Sequence, residues 1–264
     1  MGVDRLHEYA AQFGFGRVQG IELPLEAPGN NPNQAWKRQT QGEPWSTGDD
    51  YNMGIGQGFV TATPLQVAQM AAVVANGGFL YRPTIIRQIT DAEGNVVQEL
   101  EPEVLNSVSV DRQWLDVVAD GMRLVNQEGG TGVSYVEWLD EFGIPTAGKT
   151  GTAEYCDNIA IKRRWCKEGQ ILPTHSWFVG YAPFDDPEIV VVAFIFNGGE
   201  GSRWAGPIVR DVMAAYFEVD QYAPEPVEPT PQAEETLPES SELDGSEETP
   251  APDAGGANNA GAAP

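Results

Sequence analysis

Residues 189–196 read Ile-Val-Val-Val-Ala-Phe-Ile-Phe, eight apolar side chains without a break. β-Branched and aromatic residues at this density favour a strand. Successive side chains of a strand point to opposite faces, so a run that is apolar at every position needs cover on both. The expectation is an interior strand of a sheet with helices on either side. A second β-like run spans 176–181. The Pro183-Phe184-Asp185-Asp186-Pro187 link between them is too short for anything but an antiparallel hairpin.

Four segments have helical periodicity. Val3, Leu6, Ala10 and Phe13 recur at three- and four-residue steps before Gly14. Thr63 suits an N-cap and Pro64 the first helical position, with Leu65, Ala68, Ala72 and Ala75 as the apolar face and Asn76-Gly77-Gly78 as the stop. Residues 110–125 align Trp114, Val118, Met122 and Val125. Ser109 stands where a cap belongs, and Gly129-Gly130-Thr131-Gly132 ends the segment. The last helix is expected over 207–217, with Ile208, Val212 and Ala215 inward. Between these lie a short β segment at 85–89 and a polar turn at 91–95. Residues 29–51, rich in Gly, Pro, Asn and Gln, read as a long surface loop whose Trp36 and Trp45 either fold back on the body or line a groove.

Charge narrows the partners. The formal net charge is −24. Residues 223–264 contribute ten acids and no Lys or Arg, leaving 29 acids against 15 bases in the body. Nucleic-acid binding needs clustered cations, and the nearest cluster, Lys162, Arg163, Arg164 and Lys167, reads as one solvated loop. The domain is expected over 1–222, followed by an acidic tail at 223–264 with too little apolar surface to order itself. No stretch approaches the ~18 consecutive apolar residues of a membrane helix, and no signal-peptide layout opens the chain. Cys156 and Cys166 lie ten positions apart, a spacing that a hairpin loop can close. A disulfide there is worth roughly 2.5–3 kcal/mol of unfolded-chain entropy. Two free thiols, or a metal site using His175, are the alternatives. No cofactor is implied, and the spacing fits no standard zinc pattern.

The chemistry is concentrated in Ala147-Gly148-Lys149-Thr150-Gly151-Thr152-Ala153-Glu154. Read literally, residues 143–150 satisfy the nucleotide-binding pattern G-x-x-x-x-G-K-T. That loop needs a buried strand before it and a helix opening at the Lys-Thr. Here Glu137, Asp140 and Glu141 charge the preceding segment, Pro145 removes a donor, and Gly151 interrupts the helix. A strand fits better. Lys149 would supply a cation, Gly151 would let a ligand lie flat against the backbone, and the Thr150 and Thr152 hydroxyls would bind a carboxylate.

Lys149-Thr150-Gly151 resembles the K-T-G signature of serine penicillin-binding proteins and β-lactamases. Gly54-Ile55-Gly56-Gln57-Gly58 with Thr63-Pro64-Leu65-Gln66 resembles the G-x-G-Q-G…T-P-x-Q segment of class B penicillin-binding proteins. Trp177-Phe178-Val179-Gly180-Tyr181 resembles the strand that follows K-T-G there. Met1-Gly2-Val3-Asp4-Arg5-Leu6 and the Trp36-Lys37 region look most like the elongation subtype. The resemblance implies an α+β (α/β sandwich) fold, an antiparallel central sheet covered by helices. It also implies a peptidoglycan D,D-transpeptidase at the extracytoplasmic face of the membrane. The ligands would be stem peptides and β-lactams, with a membrane glycan polymerase as partner. It gives Lys149 the proton network, Thr150 and Thr152 the carboxylate, and the Thr152 N–H one oxyanion bond. Gln57 either sits near the groove or fixes the loop before its helix.

The family also uses S-x-x-K and S-x-N. No serine in this chain has Lys three residues later, and Ser109-Val110-Asp111 is better explained as a cap. In the family both motifs lie upstream of the region resembling Met1. The chain therefore reads as the C-terminal part of the domain, incomplete at its N-terminus and inactive alone. A non-catalytic binding or scaffolding module is the alternative.

Overall fold

The computed structural model describes residues 2–219 apart from 168 and 170. In chain order the elements are α1 (Val3–Gln12), α2 (Gln34–Gln41), α3 (Thr47–Gly54), α4 (Pro64–Ala75), β1 (Phe79–Tyr81), β2 (Gln88–Thr90), β3 (Val96–Glu99), β4 (Val104–Ser107), α5 (Arg112–Val125), a 3₁₀ turn (Leu139–Phe142), β5 (Ala147–Glu154), α6 (Asn158–Lys162), β6 (Thr174–Ala182), β7 (Ile189–Ile195) and α7 (Gly201–Tyr216). The tail expected over 223–264 lies outside the described residues.

β5, β6 and β7 form an antiparallel sheet in that order. On one face Val209, Met213 and Ala214 of α7 pack on Phe178, Ala182, Val191 and Ala193. On the other, Ala71 and Val74 of α4 and Met122 of α5 pack on Ala147, Val179 and Tyr181. This is the helix–sheet–helix layering expected from sequence. The interior strand, however, is β6. Among the described residues β7 has a strand neighbour on one side only, and Phe194 and Phe196 stay 40% and 44% exposed. Apolarity on both faces reports helices above and below, not neighbours within the sheet, and that is why β7 read as interior.

Three helices bury residues outside the face expected of them, although Met122 and Val125 of α5 do pack inward. α4 has its capping box, with Thr63 accepting from the Gln66 N–H and Gln66 accepting from the Thr63 N–H, but its buried residues are Gln66, Ala71, Val73 and Val74. Gln66 donates to the Arg17 and Pro28 carbonyls at 3.0 and 2.8 Å, tying the loop after α1 to this helix. α5 buries Leu115 and Met122 and leaves Trp114 and Val118 exposed, because the largest side chain does not mark the row that meets the sheet. Ser109 is not its cap: Asp111 holds that position, and the Ser109 N–H donates to Gln12. α7 begins six residues before Pro207 and buries Ala205, Gly206 and Val209, with Ile208 and Val212 half exposed. Small residues let it lie close against β6.

The segment 29–51 is not a plain loop. Asn33 caps α2 by accepting from the Trp36 N–H at 2.8 Å, and Ser46 with Asp49 forms a capping box on α3. Trp36 folds back, packing on Phe59 with ring centres 5.2 Å apart, whereas Trp45 stays within the segment and donates to Asp50 at 3.1 Å. The β segment expected at 85–89 falls at β2, paired with β3 across a turn in which Asp91 accepts from the Glu93 and Asn95 N–H groups.

Candidate functional site

Lys149, Thr150, Gly151 and Thr152 lie in mid-strand on β5, an edge of the sheet, with no helix opening at Lys149. That arrangement does not fit a nucleotide loop. In an antiparallel pair the residues alternate between those that bond the neighbouring strand and those whose N–H and C=O point away from it. Parity fixes which is which here. The Tyr155 N–H bonds the Pro173 carbonyl at 3.0 Å, continuing the β5–β6 ladder. Odd-numbered residues of β5 therefore bond β6, and even-numbered ones face the open side. Three side chains agree, because each reaches an even-numbered carbonyl. Arg123 donates to Thr146 at 3.0 Å, Lys149 Nζ to Thr150 at 2.9 Å, and Gln57 to Thr152 at 3.1 Å. The N–H groups of Thr150 and Thr152 are thus turned to the open edge.

The strand is held from behind. A side chain at Gly151 would sit 3.0 Å from the Trp177 Cβ. α7 starts directly against this point: Gly201 abuts the backbones of Gly151 and Trp177, and its N–H donates to Thr152 Oγ1 at 3.4 Å. Ser176, fully buried opposite Thr152, donates to the Glu200 carbonyl at 3.1 Å. The result is an extended edge with fixed amides, a lysine ammonium lying over it, and two threonines at its centre.

Beyond Glu154 the chain forms a loop closed by a Cys156–Cys166 disulfide with Cα atoms 5.8 Å apart. With the two sulfurs bonded to each other, neither is left as a thiolate for a metal. His175 stacks on Tyr155 with ring centres 3.8 Å apart, and its Nδ1 accepts from the Asn197 N–H. Burial lowers the His175 pKa, which favours that accepting, neutral ring. Desolvation raises the Tyr155 hydroxyl.

One of two further site neighbours, Gln57, is expected from sequence either near the groove or fixing its loop. It does both, since its side chain meets Thr152 and its N–H bonds the Asn52 carbonyl. Thr131 was read only as part of a helix stop, yet its Oγ1 lies 3.4 Å from Thr150 Oγ1.

Residues 1–214 match the family model described as the penicillin binding protein transpeptidase domain. Peptidoglycan D,D-transpeptidase MrdA of Haemophilus influenzae is 35% identical over 223 residues, covering 82% of this chain and 33% of that protein. The chain thus spans about a third of the length of that curated relative. Penicillin-binding protein 2 of Pseudomonas aeruginosa superposes with a TM-score of 0.62 at 32% identity, over 81% of this chain and 44% of that one. A chain from a structure on the coordination of polymerization and crosslinking by a peptidoglycan synthase complex gives 0.65 at 39% identity, over 82% and 33%.

Proposed function

This chain belongs to the penicillin-binding protein transpeptidase family, and we propose that it supplies the peptide-docking edge of a peptidoglycan D,D-transpeptidase. One observation carries the reading: Thr150 and Thr152 turn their backbone groups to the free side of β5, directly beside the Lys149 ammonium. An extended acyl-peptide can add to that edge as a further strand. Lys149 then attracts the ligand carboxylate, the Thr150 and Thr152 hydroxyls orient it, and the Thr152 N–H donates to the oxyanion that forms at the attacked carbonyl. A fixed donor of this kind contributes roughly 3–4 kcal/mol to lowering the barrier in serine acyl transfer. β-Lactams, which present an acyl group and a carboxylate together, would use the same edge.

The nucleophile has to come from S-x-x-K, and no serine here has that partner. Incubated with a labelled penicillin, this chain alone is expected to form no covalent adduct. A longer chain that also carries S-x-x-K and S-x-N is expected to form one, and Lys149→Ala in it should slow acylation roughly a hundredfold. Stoichiometric labelling of the present chain, or full-rate labelling of the Lys149→Ala protein, would overturn the reading. A glycan polymerase partner is supported by likeness to the synthase-complex chain. Action on the outer side of the cytoplasmic membrane follows from the peptidoglycan substrate. No helix among the described residues is long and apolar enough to cross a membrane.

A further inference from the structure

We propose that the disulfide-closed loop after β5 is a subsite for acidic residues of the docked acyl-peptide, those that precede its scissile bond. The inference rests on reading the β5 edge as the peptide site. It adds the class of peptide preferred there, one with carboxylates upstream of its last two residues.

The loop is basic in a chain that is otherwise acidic. Of 15 bases in the whole sequence, four fall within six positions: Lys162, Arg163, Arg164 and Lys167. All four are exposed, and no ion pair among the described residues uses any of them. Glu154 and Glu168 flank the run, but the one acid within 156–167 is Asp157. Its carboxylate is already engaged, accepting from the Ala160 N–H at 2.7 Å as the cap of α6. Cations clustered and unpaired on an acidic body attract an anion from outside.

The fold sets these cations at the far end of the docking edge. The bond from the Tyr155 N–H to Pro173 carries the β5 ladder to the root of the loop, and the Cys156–Cys166 disulfide closes the loop there. Side chains of a strand alternate, so Lys149, Gly151, Ala153 and Tyr155 share one face. Tyr155 stacks on His175, and the ring centre of His175 lies 4.9 Å from that of Phe196. Trp165 of the loop meets the same Phe196 at 6.5 Å, so the loop folds over the Lys149 face. Arg163 is held beside it, its guanidinium 5.0 Å from the centre of the Trp165 ring. The Trp165 N–H bonds the Ala160 carbonyl at 2.8 Å and fixes the turn between.

Docking direction follows from the two ends of the site. The ligand's C-terminal carboxylate lies by Lys149 and its attacked carbonyl by Thr152, so the peptide runs antiparallel to β5. The residues before the attacked carbonyl therefore continue past Glu154 toward the loop. At roughly 3.3 Å per residue, Cys156 lies about 13 Å beyond Thr152, the span of three or four ligand residues. Carboxylates on those residues come within reach of long Lys and Arg side chains, and the planar Arg forks suit them. This subsite is separate from the Lys149 contact and grips the opposite end of the peptide.

The test is a nuclear magnetic resonance titration of the ¹⁵N-labelled chain with two peptides, N-acetyl-Glu-Glu-D-Ala-D-Ala and its Gln-Gln counterpart. Both are expected to shift the Thr150 and Thr152 amides. At low salt the glutamate peptide should bind about tenfold more tightly and shift the loop amides as well. In about 1 M salt, where charges are screened beyond roughly 3 Å, the two should bind alike. Replacing Lys162→Gln, Arg164→Gln and Lys167→Gln together leaves Arg163 on Trp165. That variant should bring the glutamate peptide down to the glutamine one and leave the latter unchanged, which a folding defect would not do. Lys162→Arg, Arg164→Lys and Lys167→Arg together keep the charge and should keep the preference. If both peptides shift Thr150 and Thr152 at equal affinity in low salt, or the neutralised variant weakens both alike or retains the preference, this inference fails and the peptide site stands. If neither peptide moves Thr150 or Thr152, both readings fail together.

Discussion

Gly201→Val is expected to lower stability by about 4 kcal/mol, at the upper end of what overpacking a core costs. A Cβ at this position would press on the carbonyls of Trp177 and Gly151 and come within 2.9 Å of the Gly151 nitrogen. All three are backbone atoms of paired strands, so none can swing aside as a flexible side chain would. Either α7 lifts off the sheet or the β5–β6 pair opens. Lifting α7 uncovers Val209 and Met213, both fully buried, together with the face of Phe178 they cover. For a domain of this size the loss corresponds to a fall in Tm of roughly 10 °C, read by circular dichroism. The same change removes the support behind Gly151 and Thr152. A variant that melts with the unaltered chain would mean that α7 does not start against β5.

A second large effect is expected at Asp49. Its carboxylate accepts from Lys37 at 2.6 Å, and the two side chains are only 12% and 8% exposed. Asp49→Ala removes the short contact of the buried Lys37 ammonium, leaving it Glu43 at 4.0 Å and the Phe59 ring, and should cost about 3 kcal/mol in denaturant unfolding at neutral pH. Replacing both by apolar residues, as in Lys37→Met with Asp49→Leu, should recover most of the loss, because no charge is then stranded. The pH dependence has a definite sign. The hydrogen bond from Lys37, with further bonds from Ser46, holds the Asp49 carboxyl below its ordinary value of 3.8. A group whose pKa is lower in the folded state adds stability that is complete above its unfolded value and is lost as pH falls through the folded one. The deficit of Asp49→Ala should therefore be constant from neutral pH down to about 4 and shrink below that. A deficit that grows in acid would mean that the pair is not formed.

What could be read from the chain beforehand divides along physical lines. The K-T-G strand and the 183–187 turn were legible because their residue types have local causes: glycine for close approach, and a link too short for a crossover. The helix phases were not. Trp114 and Ile208 are large and apolar but face outward, while Leu115 packs on Val73, Leu80 and Val108, and Ala205 and Gly206 let α7 approach the sheet. Periodicity finds a stripe; it does not say which of two adjacent stripes meets the sheet. α2 and α3 were hidden in a Gly-, Pro- and Asn-rich stretch, although Asn33 and the Ser46–Asp49 pair were there to be read as caps. Gln57 and Thr131 reach the site across 95 and 19 positions of sequence. The G-x-G-Q-G resemblance left Gln57 open between groove and loop, and no local pattern ties Thr131 to Thr150, so only the fold could bring them together.

Residue-resolved hydrogen exchange along β5 decides most sharply whether this edge is free. The Lys149, Gly151 and Ala153 amides bond β6 and should be protected, while those of Thr150 and Thr152 should exchange at least roughly a hundredfold faster. Even protection from 148 to 154, or slow exchange at Thr150 and Thr152 with fast exchange at their neighbours, would contradict an edge open to an incoming peptide.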